Sequence, residues 1–481
     1  MKGKNSIFFF VLLTVGAAVG IGNIFVFPYL SFNLSAIFFI PYLIALIILG
    51  VPLLLLEFSI GQFFDKNVID LFASIRKWFS SIGWLMVFNA FILASLYAVV
   101  LAWHIIYFFV SFGTRWKDNP QNYFFNNILQ VSDGFSGFTK FSLPVFIALI
   151  VAWVVIFFYI KKGYESIKRS FLITIPILVA LLLFFLFYSL TLDNALNGVY
   201  SFLKPDFTDL LRLNTWFAAF SLAAISLGLS FGIMHVFASK SGKGFLVANS
   251  FIAIMFELIA GILLCFIIFS FLGFLGSKAS GMNNLVVSDY GTLLVILSLA
   301  LPFFYRPTLL SLMFFLMLSI MFVLGAAALA YSVSHVLVHK FKSKHVHAAI
   351  LVSGLGFLTG LVFAIKPGFR IMNIVVHFIY YNIVIGLLLE TLAIGWFFNL
   401  DKIASFINQH SKVKLGMIWH FIIKYIIPII LSLILAFQIR IDFVSRYNDY
   451  PLWALLLFGV GTVAVPLVVA FLMPQKLFDR G

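Results

Sequence analysis

The sequence predicts an all-α membrane protein with about 12 transmembrane helices. Three observations carry that prediction. Hydrophobic residues make up 63% of the 481 and charged residues only 10%, too little charge to cover a water-soluble surface of this size. The apolar runs are continuous, not alternating, and many reach the roughly 20 residues that a spanning helix needs. Lipid offers no partner to a backbone N–H or C=O, so only helices or a closed barrel can cross it, and continuous runs select helices.

The candidate spans are 7–30, 36–62, 84–112, 142–160, 171–192, 216–238, 247–275, 308–337, 348–366, 371–398, 420–440 and 452–473. Residues 7–30 are too long and too rich in Gly for a cleaved signal, and no small-residue cleavage site follows them. The run 291–337 exceeds one helix, and Pro302 and Pro307 interrupt it. A short re-entrant or extracellular stretch is therefore expected over 291–305. The 113–141 segment, with its Gly, Asn, Ser and few charges, reads as an outer loop that is partly ordered at best.

Charge orients these spans. Most of the 31 Lys and Arg residues cluster in the loops that face the cytoplasm when the N-terminus is inside. Both termini are then cytoplasmic, as an even number of spans requires. The net charge of +15 follows the same loops, which argues against a nucleic-acid partner. Cys265 is the sole cysteine, so neither a disulfide nor a cysteine metal site is available. The lack of a disulfide and of long tails suits a bacterial inner membrane. The 62 phenylalanines suit a lipid-facing surface and point to no specific function.

Two spans carry dense small residues near mid-membrane. The first reads Gly16-Ala17-Ala18-Val19-Gly20-Ile21-Gly22-Asn23 and the sixth reads Ser226-Leu227-Gly228-Leu229-Ser230-Phe231-Gly232. Each opens a five-helix block. Interrupted helices at matching positions in two halves mark a transporter's central site, because a broken helix frees N–H and C=O groups for a carboxylate, an amine or a cation. Close helix packing is the alternative use of such glycines.

The stretch Gly16 to Pro28, with Ile40-Pro41-Tyr42 and Gly50-Val51-Pro52-Leu53 through Glu57 and Gly61, resembles the neurotransmitter:sodium symporter family, in particular its bacterial amino-acid members of the leucine-transporter fold. Gly83, Tyr97 to Trp103, Lys168-Arg169, Pro176, Lys204-Pro205-Asp206-Phe207, Trp216-Phe217-Ala218-Ala219, Glu390 and Lys424-Tyr425-Ile426-Ile427-Pro428 follow in order. The resemblance implies an inverted five-plus-five repeat with discontinuous helices 1 and 6. Its parts would be residues 1–192, 193–398 and a two-helix addition at 399–481. It implies secondary transport by alternating access, and no enzymatic chemistry.

It also implies a site. The amides of Ile21 and Gly22 and the hydroxyl of Tyr97 would hold a carboxylate. The carbonyls of Ala18, Ile225, Ser226 and Gly228 would receive an amine. Leu93, Ile225 and Phe231, with Ala328 and Ser332, would line the side-chain pocket. These residues favour a small neutral or hydrophobic amino-acid-like solute. Sodium would be the coupling ion, with no other cofactor. Its first site would draw on Ala18, Asn23 and Ser226, with Ala253 at the fourth position, where it offers no side-chain oxygen; Asn249 lies one turn away. Its second would draw on the carbonyls of Gly16, Val19 and Leu324, but the two hydroxyl positions read Ala327 and Ala328, which implies a degraded site. The charged outer gate reads Val26 and about Val375, an apolar replacement.

Acids within spans are costly and default to function. By the same resemblance Glu57 braces the broken first helix. Glu257 stands where chloride-independent members carry an acid, and can stand in for chloride or carry a proton. Glu390 braces the tenth span. His235 reads as a packed polar residue, and His339, His345 and His347 as solvated. Proton-coupled or uncoupled transport, and solute sensing without transport, stay open as alternatives; a flux assay separates them.

Overall fold

The computed structural model describes residues 2–18, 26–34, 36–278 and 290–473. Among the described residues, ten apolar helices are long enough to cross a membrane: Ala36–Phe64, Lys77–Val110, Leu143–Ile160, Tyr164–Leu190, Leu246–Gly276, Pro307–Phe341, His345–Ala364, Gly368–Phe397, Met417–Asp449 and Leu452–Leu472. They are spans 2–5 and 7–12. Span 6 is divided into Leu213–Ser226 and Ile233–Lys240. Span 1 is described as Lys2–Ala18 and Phe27–Leu34, and residues 19–25 between them lie outside the described residues. The chain is thus an all-helical, multi-pass membrane protein.

Burial separates the inside of the bundle from its rim. The apolar windows of spans 3 and 8 are 83% and 78% buried, against 28% in span 11 and 22% in span 12. Spans 3 and 8 pack along each other through the centre. Spans 11 and 12 leave most of their apolar surface for lipid, which explains why hydropathy alone could not rank them. Proline positions show how the helices stay intact. Pro52 cannot donate to the preceding turn, and that turn widens over Leu46–Gly50 to take its ring. The turn Ile422–Ile426 does the same before Pro428.

Several boundaries move. Spans 3 and 5 begin at Lys77 and Tyr164, about two turns ahead of the expected 84 and 171, because a polar first turn at the membrane surface does not register as apolar. Between spans 7 and 8 a helix runs over Tyr290–Ala300, closed by a tight turn at Leu301–Phe303. Pro302 lies in that turn and Pro307 in the first turn of span 8.

The 113–141 segment is more ordered than expected. Trp116 is fully buried and its indole N–H donates to Ser298 O at 2.9 Å. The Arg370 guanidinium donates to Ser132 O and Gly134 O at 2.6 and 2.9 Å. The Ser142 N–H reaches Ala364 O at 2.8 Å. These partners lie far away in sequence, so local composition could not reveal them.

Gly61 on span 2 lets that span approach the second half of span 6. A Cβ built there would stand 2.5 Å from His235 O, a backbone atom that cannot swing aside. Gly61→Ala is expected to destabilise the protein by about 1–3 kcal/mol through overpacking. Gly354→Ala, with nothing within 4 Å of its added Cβ, should be neutral. Thermal unfolding of the two variants in detergent checks the contrast.

Candidate substrate and ion site

The break in span 6 follows from its residues. Gly228, Ser230 and Gly232 adopt φ of +68°, +65° and +70°. No helix can contain that alternation, and a left-handed residue other than glycine costs roughly 1–2 kcal/mol. Neighbouring spans hold the exposed backbone. Glu57 Oε1 of span 2 accepts the Ser230 N–H at 2.8 Å. The Ser332 hydroxyl of span 8 donates to Phe231 O at 2.8 Å. A Cβ at Gly386 of span 10 would stand 2.1 Å from Ser230 Oγ. One amide and one carbonyl that lipid would penalise are thereby satisfied inside the protein.

Two polar clusters flank the break. On one side Tyr42 of span 2 donates its hydroxyl hydrogen to Glu257 Oε1 of span 7 and lies 3.0 Å from Ser226 Oγ. The Ser226 hydroxyl thus lies within reach of both the phenol oxygen and the Glu257 carboxyl. All three residues are buried. Tyr42 was not among the expected site residues, although it belongs to the Ile40-Pro41-Tyr42 motif.

On the other side His235 sits between two carboxyl groups. Its Nε2 lies 3.1 Å from Glu390 Oε1 and its Nδ1 3.3 Å from Glu57 Oε2. The three side chains are fully buried, and one ligand atom from each lies within 4.8 Å of the others. Glu57 therefore grips the broken sixth span; the first-span segment 19–25, which it was expected to brace, lies outside the described residues. Glu390 reaches across to span 6 and does more than brace span 10. His235, read as a packed polar residue, is buried at the centre of this triad.

The remaining expected residues fall as follows. Ile225 and Ser226 end the first half of span 6. A Cβ on Gly228 would stand 3.5 Å from Ala17 O, so the break in span 6 faces the last turn of the first helix, Lys2–Ala18. Leu93 and Tyr97 are buried on span 3, with the Tyr97 ring edge-on to Phe322 at 5.7 Å. Phe231 and Ala328 are buried as well. Ser332, expected in the pocket lining, directs its hydroxyl at Phe231 O. Ile21, Gly22, Asn23 and Val19 lie outside the described residues. Gly16 and Ala18 belong to the last turns of Lys2–Ala18, and Leu324, Ala327 and Ala328 to the unbroken, buried middle of span 8.

Asn249, one turn from Ala253 on span 7, is 1% exposed, and neither amide atom has a hydrogen-bond partner among the described residues. A buried amide in that state is a ready oxygen donor for a hard cation.

A cavity of about 480 Å³ opens towards the end of the bundle that carries the 113–141 loop, with Val26, Phe217, Ile225, Val376, Tyr380 and Phe437 among its walls. Val26 and Val376 put apolar side chains where a charged gate was expected to be missing; the span-10 wall residue is Val376, next to the expected Val375. His377 also faces this cavity and lies 2.7 Å from Asp442.

The triad generates a stability prediction. His235→Leu leaves two buried carboxyl groups without the imidazole between them, and breaking such a buried network costs about 3–5 kcal/mol. Thermal unfolding should register that loss, and the combined Glu57→Gln, His235→Gln and Glu390→Gln variant should recover part of it.

Comparison with known proteins agrees with this geometry. A model of the sodium:neurotransmitter symporter family matches residues 4–119 and 114–479. An uncharacterized sodium-dependent transporter of Methanocaldococcus jannaschii is 30% identical over 98% of this chain and 97% of its own length. A sodium-dependent nutrient amino acid transporter of Drosophila mojavensis is 27% identical over 95% of this chain and 80% of its own. A sodium- and chloride-dependent GABA transporter of Drosophila melanogaster is 25% identical over 83% of this chain and 47% of its own. The polar clusters around a broken sixth span, within a helical bundle matched almost end to end, place this chain in the sodium:neurotransmitter symporter family, whose members are sodium-dependent transporters and not enzymes.

Proposed function

We propose that the chain is a secondary active transporter that moves a small neutral or hydrophobic amino acid, or a related amine, by alternating access. The observation that carries this reading is the opened backbone at 226–232, beside Ala17. It joins freed amide and carbonyl groups to buried apolar side chains at Leu93, Phe231 and Ala328 and to the half-buried Ile225. An amino acid needs that combination: backbone groups for its charged ends and an apolar surface for its side chain. The resemblance to a nutrient amino acid transporter supports the same substrate class.

Sodium is the coupling ion in this reading. Ala18, Asn23 and Ser226 form the first site, and the orphaned amide of Asn249 fits the oxygen that Ala253 lacks. Gly16, Val19 and Leu324 form a second site too poor in oxygen to hold sodium, because Ala327 and Ala328 supply only methyl groups. The apolar walls at Val26 and Val376 serve as the outer seal. The protein lies in the cell membrane, that of a bacterium by the disulfide argument, with both termini cytoplasmic and the 113–141 loop outside.

A thermal-shift screen of amino acids in sodium and in potassium tests the substrate and the ion together. Neutral apolar amino acids should stabilise the protein only with sodium. Asn249→Ala should weaken the sodium effect, and Ala253→Asn should strengthen it. Stabilisation by acidic or basic amino acids alone, or without sodium, would overturn the reading. Vesicle uptake at two sodium ions per substrate would overturn the loss of the second site.

The Glu57–His235–Glu390 triad favours a second reading in which a proton takes part in coupling. A neutral imidazole has one N–H, yet both ring nitrogens face carboxyl oxygens. Nε2 alone makes a hydrogen bond, to Glu390, and a further proton on Nδ1 would turn its 3.3 Å approach to Glu57 into a second. Chains of Glu and His in membrane cores are proton carriers in other transporters. Under this reading an inward proton gradient drives substrate uptake into sodium-free vesicles, and His235→Gln abolishes it. Uptake that ignores the gradient leaves the triad a purely structural role.

A further inference from the structure

At the end of the bundle opposite the 113–141 loop, a cavity of about 660 Å³ opens beside the turn 161–163 that joins span 4 to span 5. Its lining is basic. Lys161 and Lys162 come from the turn and Lys168 and Arg169 from the start of span 5, against the single carboxylate of Glu165. Phe9 of span 1 and Phe158 of span 4 form an apolar wall. The substrate and ion site described above uses none of these residues.

The cations are held in place by their surroundings. Gly163 takes φ of +67° to turn the chain, and a Cβ there would stand 2.7 Å from His345 Nδ1, so the turn is seated on the start of span 9. The Ser166 hydroxyl donates to Phe158 O at 2.9 Å and ties span 5 back to span 4. Lys161 Nζ lies 4.1 Å over the Phe158 ring, and Lys168 Nζ lies 4.1 Å over the Phe9 ring. Ring faces position ammonium groups without cancelling their charge.

That charge is not neutralised from within. Glu165 stands 3.8 Å from Lys168 and is itself largely exposed, which makes a weak, screened pair. Lys162 and Arg169 are exposed, and neither forms an ion pair among the described residues. Four cations gathered around one concavity repel one another, and an anion bound among them relieves the repulsion. A guanidinium beside ammonium groups is a donor set suited to phosphate.

The place of the cavity selects what carries the phosphate. Phe158 and Leu172 border it and, with Ile173, leave apolar side chains exposed on spans 4 and 5, whose surfaces are largely unburied. A free anion gains nothing from that border, whereas acyl chains cover it. Basic pockets between spanning helices on the cytoplasmic side take lipid headgroups in this manner, and in the orientation proposed above this end faces the cytoplasm.

We propose that this cavity binds the phosphate headgroup of an anionic phospholipid, with Lys162 and Arg169 on the phosphate and the acyl chains along Phe158 and Leu172. Through Phe9 and the turn, the bound lipid links spans 1, 4 and 5.

The test uses the full chain in a neutral detergent, with phosphatidylglycerol or phosphatidylcholine titrated in while thermal unfolding is followed. Phosphatidylglycerol should raise the Tm saturably, and phosphatidylcholine should not. The double variant Lys162→Gln, Arg169→Gln should raise the half-saturating phosphatidylglycerol roughly thirtyfold, about 1 kcal/mol for each cation removed. Without lipid it should melt like the parent protein, because both side chains are exposed. Lys162→Arg should keep the lipid effect, and Glu165→Gln should strengthen it. Removing two exposed lysines outside the cavity, Lys402→Gln with Lys412→Gln, should leave it unchanged. An unchanged half-saturating concentration in the Lys162, Arg169 variant, or an equal loss in the Lys402, Lys412 variant, would overturn the proposal. So would equal stabilisation by glycerol phosphate, because the cavity would then take a free phosphate with no part for the chains.

Discussion

Backbone groups freed inside a lipid-facing protein must find partners within it, and the structure around span 6 is organised by that constraint. Six residues between Ser226 and Ile233 leave helical geometry. In water their amides and carbonyls would be solvated; at the centre of a bundle they cannot be. Glu57 and Ser332 supply partners from spans 2 and 8, and Gly386 of span 10 packs closely against the Ser230 side chain. The break is thus held by three spans at once, and any motion of span 6 must displace or carry these contacts.

The buried acids follow from the same constraint. Glu57 accepts from the break and also faces His235, which faces Glu390. Glu257 is met by Tyr42 and lies against the end of the first half of span 6. Each carboxyl group therefore has a defined partner from another span. Replacing any one with an apolar residue removes a link between spans as well as a charge, so structural and functional effects at these positions are coupled.

The apolar packing elsewhere in the bundle fits this economy of charge. Val26 and Val376 line the cavity at the loop-bearing end, and Ala327 and Ala328 are packed in the middle of span 8. Apolar side chains in both places cost nothing to bury. Charge is concentrated instead at the two clusters beside the break and, at the loop-bearing end, in His377 and Asp442.

Sequence alone determined the class of the protein: continuous apolar runs, small residues at 16–23 and 226–232, and acids within spans are local signals with one physical cause, the exclusion of water. They located ten of the spans to within about two turns and pointed to the sixth-span break. Only the tertiary structure decided who partners whom. The imidazole of His235 joins acids more than 150 residues away on either side, Tyr42 meets Glu257 across spans, and His335 lines one cavity with Asp65. Such pairings depend on how helices cross in three dimensions, and a pattern along one chain carries no record of that crossing.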